Sequence, residues 1–240
     1  MSNKLTAHKK TTAADLFAVL CPLIYFASYL TRKDYSIVMA AITETEGIAK
    51  SVAGIPESLA LISYGAGQII SGVLGDKIKP HKMISIGLSA TAILNTAMAL
   101  CGEPTARAVI WFLNGFAQSM LWPPMVRILA ATMEEKRYND VCVNVNIAGI
   151  SGTIFLYLTS SLIWIKFFTW KYTFFASAII CAAILTAWLV GCKKAFSDSD
   201  PFDKKTKEVN SSAEAKHPKL SFGVIFSSGF LLIALAIVFQ

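Results

Sequence analysis

Tyr25, Ser28, Tyr29, Arg32 and Ser36 recur at the three- and four-residue steps of one helical face. A guanidinium flanked by phenols is equipped to capture an anion. Arginine stays protonated, and its planar fork meets phosphate or carboxylate through two parallel N–H bonds. Lys33 and Asp34 follow directly. Consecutive residues point about 100° apart on a helix, so the three charges do not share one cavity. A second arrangement fits the same residues: Arg32 and Lys33 near the outer interface, with Asp34 as their local partner.

Other polar side chains recur inside apolar runs. Tyr64, Gln68 and Ser71 share a face below Glu57, with Gly65 and Gly72 on the neighbouring face. Gln68 suits a substrate hydrogen bond or a helix contact, and the small residues suit close helix packing. Asn114 and Gln118 precede Trp122, Pro123 and Pro124. The tandem proline removes two backbone donors and predicts a bend, Gln118 is the better cavity residue, and Arg127 falls toward the cytoplasmic end. Asn146, Gly149 and Thr153 align, for a tight contact or a pore lining. No enzymatic constellation emerges. His8, His81 and His217 all lie in polar segments, and there is no GxxxxGK[ST] phosphate loop. The five cysteines (Cys21, Cys101, Cys142, Cys181, Cys192) form no CxxC pair and read as packing residues. No cofactor, metal or catalytic residue is expected.

The elements that position these residues follow from composition. Of 240 residues, 55% are hydrophobic and 15% charged, and the mean hydropathy is +0.55. Soluble domains carry roughly 25% charged residues. Several runs lack charge over the roughly 20 residues that cross a hydrocarbon core. Backbone polar groups in lipid must be satisfied internally, so each run is a helix, and the absence of period-two alternation argues against a barrel. Six spans are predicted at about Ala14–Ala41, Ile55–Leu74, Met83–Cys101, Ala108–Thr132, Val141–Ile165 and Phe167–Cys192, with a partial seventh from near Phe222 to Gln240. The fold class is all-α membrane, apparently truncated within the seventh helix. The first run is too long for a cleavable signal.

The net charge of +7 assigns orientation rather than nucleic-acid binding. Lysine and arginine concentrate in the tail (Lys4, Lys9, Lys10), after the second span (Lys77, Lys79, Lys82), after the fourth (Lys136, Arg137) and after the sixth. The opposite loops hold only Lys50, Arg107, Lys166 and Lys171, the last two in an aromatic belt. The N-terminus and even-numbered turns are therefore expected in the cytoplasm, with the chain in the plasma membrane. The predicted units are a tail over 1–13, a six-helix bundle over 14–192, a polar linker over 193–220 and the start of a seventh helix over 221–240. Six helices, a linker and another helix match half of a twelve-helix transporter plus a piece of its second half.

The turn Gly72-Val-Leu-Gly-Asp76-Lys77 resembles the G-x-x-x-D-[RK] signature of major facilitator transporters. The segment Trp111-Phe-Leu-Asn-Gly-Phe-Ala-Gln118-Ser-Met-Leu-Trp122-Pro123-Pro124 is similar to the fourth helix of the organophosphate:phosphate antiporter family, and Tyr29-Leu-Thr-Arg32-Lys33 resembles its first. The resemblance implies a six-helix major-facilitator N-terminal bundle and alternating-access exchange of a sugar phosphate or related organic anion against phosphate. It implies that Arg32 binds the phosphate and that Tyr25, Tyr29, Tyr64 and Trp122 line the cavity; Gln68 and Gln118 join them as substrate contacts on the reading of the residues alone. Gly72, Asp76 and Lys77 would form a cytoplasmic latch, and Pro123 and Pro124 a helix bend.

Two departures concern the site. The family's second-helix lysine falls at Gln68, and the fifth-helix histidine of one branch falls at Gly149. The family's seventh-helix arginine would fall beyond Gln240. The expected partners are a small anionic substrate, the lipid bilayer and a missing C-terminal half, without nucleic acid. The alternatives are a membrane sensor of hexose phosphate, which the same family contains, and an inactive remnant.

Overall fold

The computed structural model describes residues 2–196 and 202, with side chains from Ala13 onward except that of Asp76. The seventh span and all of the predicted linker except 193–196 and 202 lie outside the described residues, as do the side chains of Lys4, Lys9, Lys10 and Asp76. Helices account for nearly all of the described chain, and it contains no strand.

The first span is one long helix, α1 (Ser2–Glu46), which begins well before its apolar run. It carries Pro22 without interruption and stops before Gly47, whose φ of 65° is the left-handed conformation that ends helices cheaply. A short α2 (Lys50–Ala53) leads into α3 (Ile55–Lys77), the second span, and α4 (Pro80–Leu100) is the third. Each of α3 and α4 opens with proline in its first turn, where the missing N–H costs nothing.

The fourth span differs from the expected single helix. It is two helices, α5 (Pro104–Ser119) and α6 (Trp122–Thr132). Pro123 and Pro124 cannot donate to the carbonyls of Ser119 and Met120, so the ladder stops there. The junction tightens instead: Met120 N–H donates to Ala117 O and Leu121 N–H to Gln118 O, each at 3.2 Å. The expected bend is therefore a break.

The fifth span, α7 (Glu135–Thr159), begins six residues before the predicted Val141, because a polar first turn with Lys136 and Arg137 precedes the apolar run. It passes into a π-helical turn, Ser160–Trp164, and a last turn, α8 (Ile165–Phe167). After a break at Phe168 the sixth span follows as α9 (Lys171–Ala195).

In this bundle α1 packs against α7 and α9, α3 against α5, and α4 against α9 and α5. One core gathers Phe17, Ile24, Leu88, Met125 and Trp188; a second, nearer the C-terminal end of α1, gathers Tyr35, Trp111 and Phe174. The outside is as apolar as the inside, with Ile93, Ile150 and Ile179 each at least 60% exposed. Such a surface suits acyl chains rather than water. Five of the helical stretches are long and apolar enough to cross a bilayer uninterrupted, and the divided fourth span completes the six.

Candidate anion site

Arg32 sits between α1 and α3. Its guanidinium carbon lies 4.4 Å from the centroid of Tyr29 and 5.0 Å from that of Tyr64. The ring of Tyr25 is 5.2 Å from Tyr29 and 5.2 Å from Trp122. Three separate segments thus meet in one aromatic cluster around one cation. The spacing on α1 brings Tyr25, Tyr29 and Arg32 to one face, Tyr64 comes from α3, and the break before Pro123 sets Trp122 at the start of α6.

The chemistry follows from what the cluster leaves free. Aromatic faces attract a cation without consuming its N–H donors. Arg32 Nε is buried with no hydrogen-bond partner. The ion pairs among the described residues are Arg107 with Glu46 and Arg137 with Asp15, and Arg32 belongs to neither. A permanent charge is thus held in place by rings with one buried donor, Nε, unused, although Tyr64 also meets the guanidinium through its hydroxyl.

Five of the seven residues expected to bind substrate (Tyr25, Tyr29, Arg32, Tyr64, Trp122) are thus brought together. Gln68 is half-buried on α3, one turn beyond Tyr64 toward the C-terminal end. Gln118 has a different role from the cavity contact expected of it. It is 1% exposed and bridges α5 to α1: Ser28 Oγ donates to Gln118 Oε1 at 2.6 Å, and Gln118 Nε2 donates to Thr31 Oγ1 at 2.8 Å. Asn114 Nδ2 adds a bond to Thr31 O at 2.9 Å. Gln118→Leu is expected to destabilise the chain by about 1–3 kcal/mol, because the Ser28 and Thr31 hydroxyls lose their interhelical partner. Thermal unfolding in detergent measures this; an unchanged melting temperature with weakened phosphate binding would return Gln118 to the cavity.

Gly149 makes the tight contact that its small size suggested, and the structure supplies its partners. A Cβ there would lie 2.9 Å from Tyr29 Cε2 and 3.2 Å from Tyr25 Cδ1. The tyrosines lean onto α7 in the space that a fifth-helix histidine would need. Neighbouring Gly152 lets α7 approach the backbone oxygen of Phe26, 2.7 Å from its built Cβ. The aligned small residues therefore make a tight contact, while Asn146 turns out and donates to Cys142 O.

At the C-terminal end of α3, Lys77 is exposed, and a Cβ on Gly75 would lie 3.2 Å from Arg127 Nη1 of α6. Gly65 and Gly72 face open space, and Gly67 is the residue that admits Ser119 of α5. At the opposite end Ser36 Oγ donates to Glu57 Oε1 at 2.7 Å and Trp111 Nε1 donates to Glu57 Oε2 at 3.1 Å, tying α1, α3 and α5 above the cluster. Glu103 caps α5 by accepting from Ala106 N–H at 2.6 Å, and that bond holds its carboxyl below the ordinary glutamate range.

Comparison with known proteins gives these features a family. The description "Major Facilitator Superfamily" matches residues 23–240. A probable hexose phosphate transport protein of Chlamydia trachomatis is 30% identical over 158 residues, 65% of this chain and 34% of its own length. The glycerol-3-phosphate transporter of Bacillus subtilis is 30% identical over 171 residues, 69% of this chain and 38% of its own. The membrane sensor protein UhpC of Escherichia coli is 32% identical over 107 residues, 45% of this chain and 24% of its own. The chain thus spans well under half the length of these relatives. A crystal structure of a peptide transporter POT superposes with a TM-score of 0.67 over 91% of this chain and 47% of that one, at 16% identity, a likeness of fold alone. The chain belongs to the Major Facilitator Superfamily, and its relatives include proteins named for hexose phosphate and glycerol-3-phosphate transport and a membrane sensor.

Proposed function

We propose that the chain supplies the anion-binding N-terminal bundle of a carrier for a phosphate ester, exchanged against inorganic phosphate by alternating access. The observation that carries this reading is the Arg32 guanidinium, held 4.4 and 5.0 Å from two tyrosine rings with Nε unpartnered. Phosphate oxygens would accept from the free edge of the fork, while Tyr25, Tyr64 and Trp122 would contact the organic part. The latch at Gly72, Asp76 and Lys77 would hold the cytoplasmic side, in a plasma membrane, with the N-terminus in the cytoplasm. The relatives named for hexose phosphate and glycerol-3-phosphate support the substrate class.

The test is binding of glucose 6-phosphate and of inorganic phosphate to the chain in detergent, measured by calorimetry. Arg32→Lys is expected to weaken binding about tenfold or more, because a point charge replaces the fork. Equal affinity in Arg32→Lys and wild type would overturn the site. The relative named as a sensor favours a second reading, in which the same site detects hexose phosphate without moving it. Binding with no exchange of labelled phosphate in vesicles, by a form that carries a second six-helix half, would select the sensor.

A further inference from the structure

A second polar layer lies on the other side of α1. Asp34 is about 200° round the helix from Arg32 and is fully buried. Its Oδ1 accepts the Tyr35 N–H at 2.9 Å, whereas Oδ2 has no partner. A carboxylate at membrane depth without a counter-charge is expensive and is seldom kept without a use.

The surroundings of Asp34 are oxygen-rich. Cys181 Sγ of α9 reaches Leu88 O of α4 at 3.6 Å, which fixes the antiparallel register of these helices. One and two turns along, that register brings Thr91 and Asn95 of α4 level with Ser177 and Thr173 of α9. Asn95 also donates to Thr31 O of α1 at 3.3 Å, so α1 joins the same layer. Ser177 is the hydroxyl that approaches the Asp34 carboxyl, and Cys181 lies within its electrostatic reach. Thr91 Oγ1, Thr173 Oγ1 and Asn95 Oδ1 are fully buried without a partner, and the Ser177 hydroxyl, 1% exposed, has only the Asp34 carboxyl beside it.

That is not the habit of hydroxyls in this chain. Thr31, Thr43, Thr45, Thr96, Thr132, Thr153, Thr159 and Thr186 each return their hydroxyl to the carbonyl four residues back. Thr91, Thr173 and Ser177 forgo that bond beside Asp34, the one buried carboxylate among the described residues.

The charges around Asp34 do not neutralise it. From α3 the facing group is Glu57, itself acidic; from α9 it is Cys181; α4 presents the neutral Thr91 and Asn95. On α1 itself, the Arg32 guanidinium is engaged by Tyr29 and Tyr64 on the far side, and Lys33 points about 100° away. One negative charge and several neutral oxygens are the donor set of a hard cation carrying one charge. A proton on Oδ2 would satisfy one hydroxyl and leave the others unmet.

We propose that Asp34, the Thr91, Thr173 and Ser177 hydroxyls and the Asn95 amide oxygen form a binding site for one sodium ion on the side of α1 that faces away from Arg32. The site ties α1 to α4 and α9, and it stands independently of the anion site.

The experiment is thermal unfolding of the full 240-residue chain in detergent, in NaCl, KCl and choline chloride of equal ionic strength and pH. Sodium at about ten times its Kd is expected to raise Tm by about 3–6 °C over choline. Asp34→Asn should abolish that shift. Ser177→Ala and Thr173→Val, which keep the carboxylate, should shrink it and so test the site even if Asp34→Asn fails to fold. Equal responses to the three salts would overturn the proposal. So would a sodium shift that survives Asp34→Asn in a folded protein, or stabilisation by acid with no sodium response, which would mark Asp34 as a proton carrier.

Discussion

Glu46→Ala is expected to destabilise the bundle by about 3–5 kcal/mol, more than any other change to a single charged residue in the described chain. Glu46 ends α1 and receives Arg107 of α5 in a two-pronged pair, with both N–H···O distances at 2.7 Å. The Arg107 side chain is 1% exposed and Glu46 is 26% exposed. Arg107 also donates to the backbone oxygens of Cys101 and Gly102, and its guanidinium lies 5.0 Å from the Trp170 ring at the start of α9. Removing the carboxylate strands a permanent charge inside the protein. Arg107→Met leaves instead a carboxylate that can turn to water, and should cost roughly half as much. Equilibrium unfolding of the two variants in mixed detergent decides the order. Equal costs, or a larger one for Arg107→Met, would mean that packing against Trp170 rather than charge burial holds this end together.

The second large effect is steric. A Cβ on Gly115 would lie 2.2 Å from the backbone oxygen of Ala60 and 2.3 Å from Ser63 Oγ. The first neighbour is main chain and cannot rotate away, so α3 and α5 must separate. Ser63 Oγ then loses its bond to Phe112 O, now 2.6 Å. Gly115→Ala is expected to cost about 3 kcal/mol or more. Because Tyr64 follows Ser63 directly, the same change should loosen the ring beside Arg32 and weaken phosphate binding. Gly72→Ala is the control: a Cβ there meets nothing within 4 Å, and alanine favours the helix by up to about 1 kcal/mol. Should the two variants unfold together at the wild-type temperature, close α3–α5 contact is not what Gly115 provides.

Hydrogen bonds around the Arg32 cluster, not a packed seam, hold α1 to its neighbours there. Hydrogen bonds through Glu57 and Tyr35 fasten α1 to α3 and its approach at one end. Between those bonds and the C-terminal end of α3, the two helices meet through Arg32 and the tyrosines rather than through a packed seam. Gln118, Asn114 and Ser28 hold α1 to α5 directly behind. The cation is thereby positioned by rings in front and a hydrogen-bonded wall behind.

Much of this was legible in the residues themselves. Hydropathy and run length are local properties, and the hydrocarbon core imposes a length on any span, so the existence and order of the spans were legible, while the ends of α1 and α7, the break that divides the fourth span and the start of α9 at Lys171 were not. The stripe Tyr25, Tyr29 and Arg32 was equally legible, because helical spacing alone puts those residues on one face. Partners across helices were not. Gln118 and Trp122 are four residues apart, yet one is walled into a hydrogen-bonded seam and the other reaches Tyr25, because the backbone breaks between them. Gly65, Gly67 and Gly72 look alike in sequence, but only Gly67 meets a neighbouring helix. Spacing separates Asp34 from Arg32 but leaves open a local pairing between them; the rotation of α1 places Asp34 toward α4 and α9. Periodicity fixes angles within a helix; the rotation of each helix against its neighbours is set by interhelical packing, which no single run of residues contains.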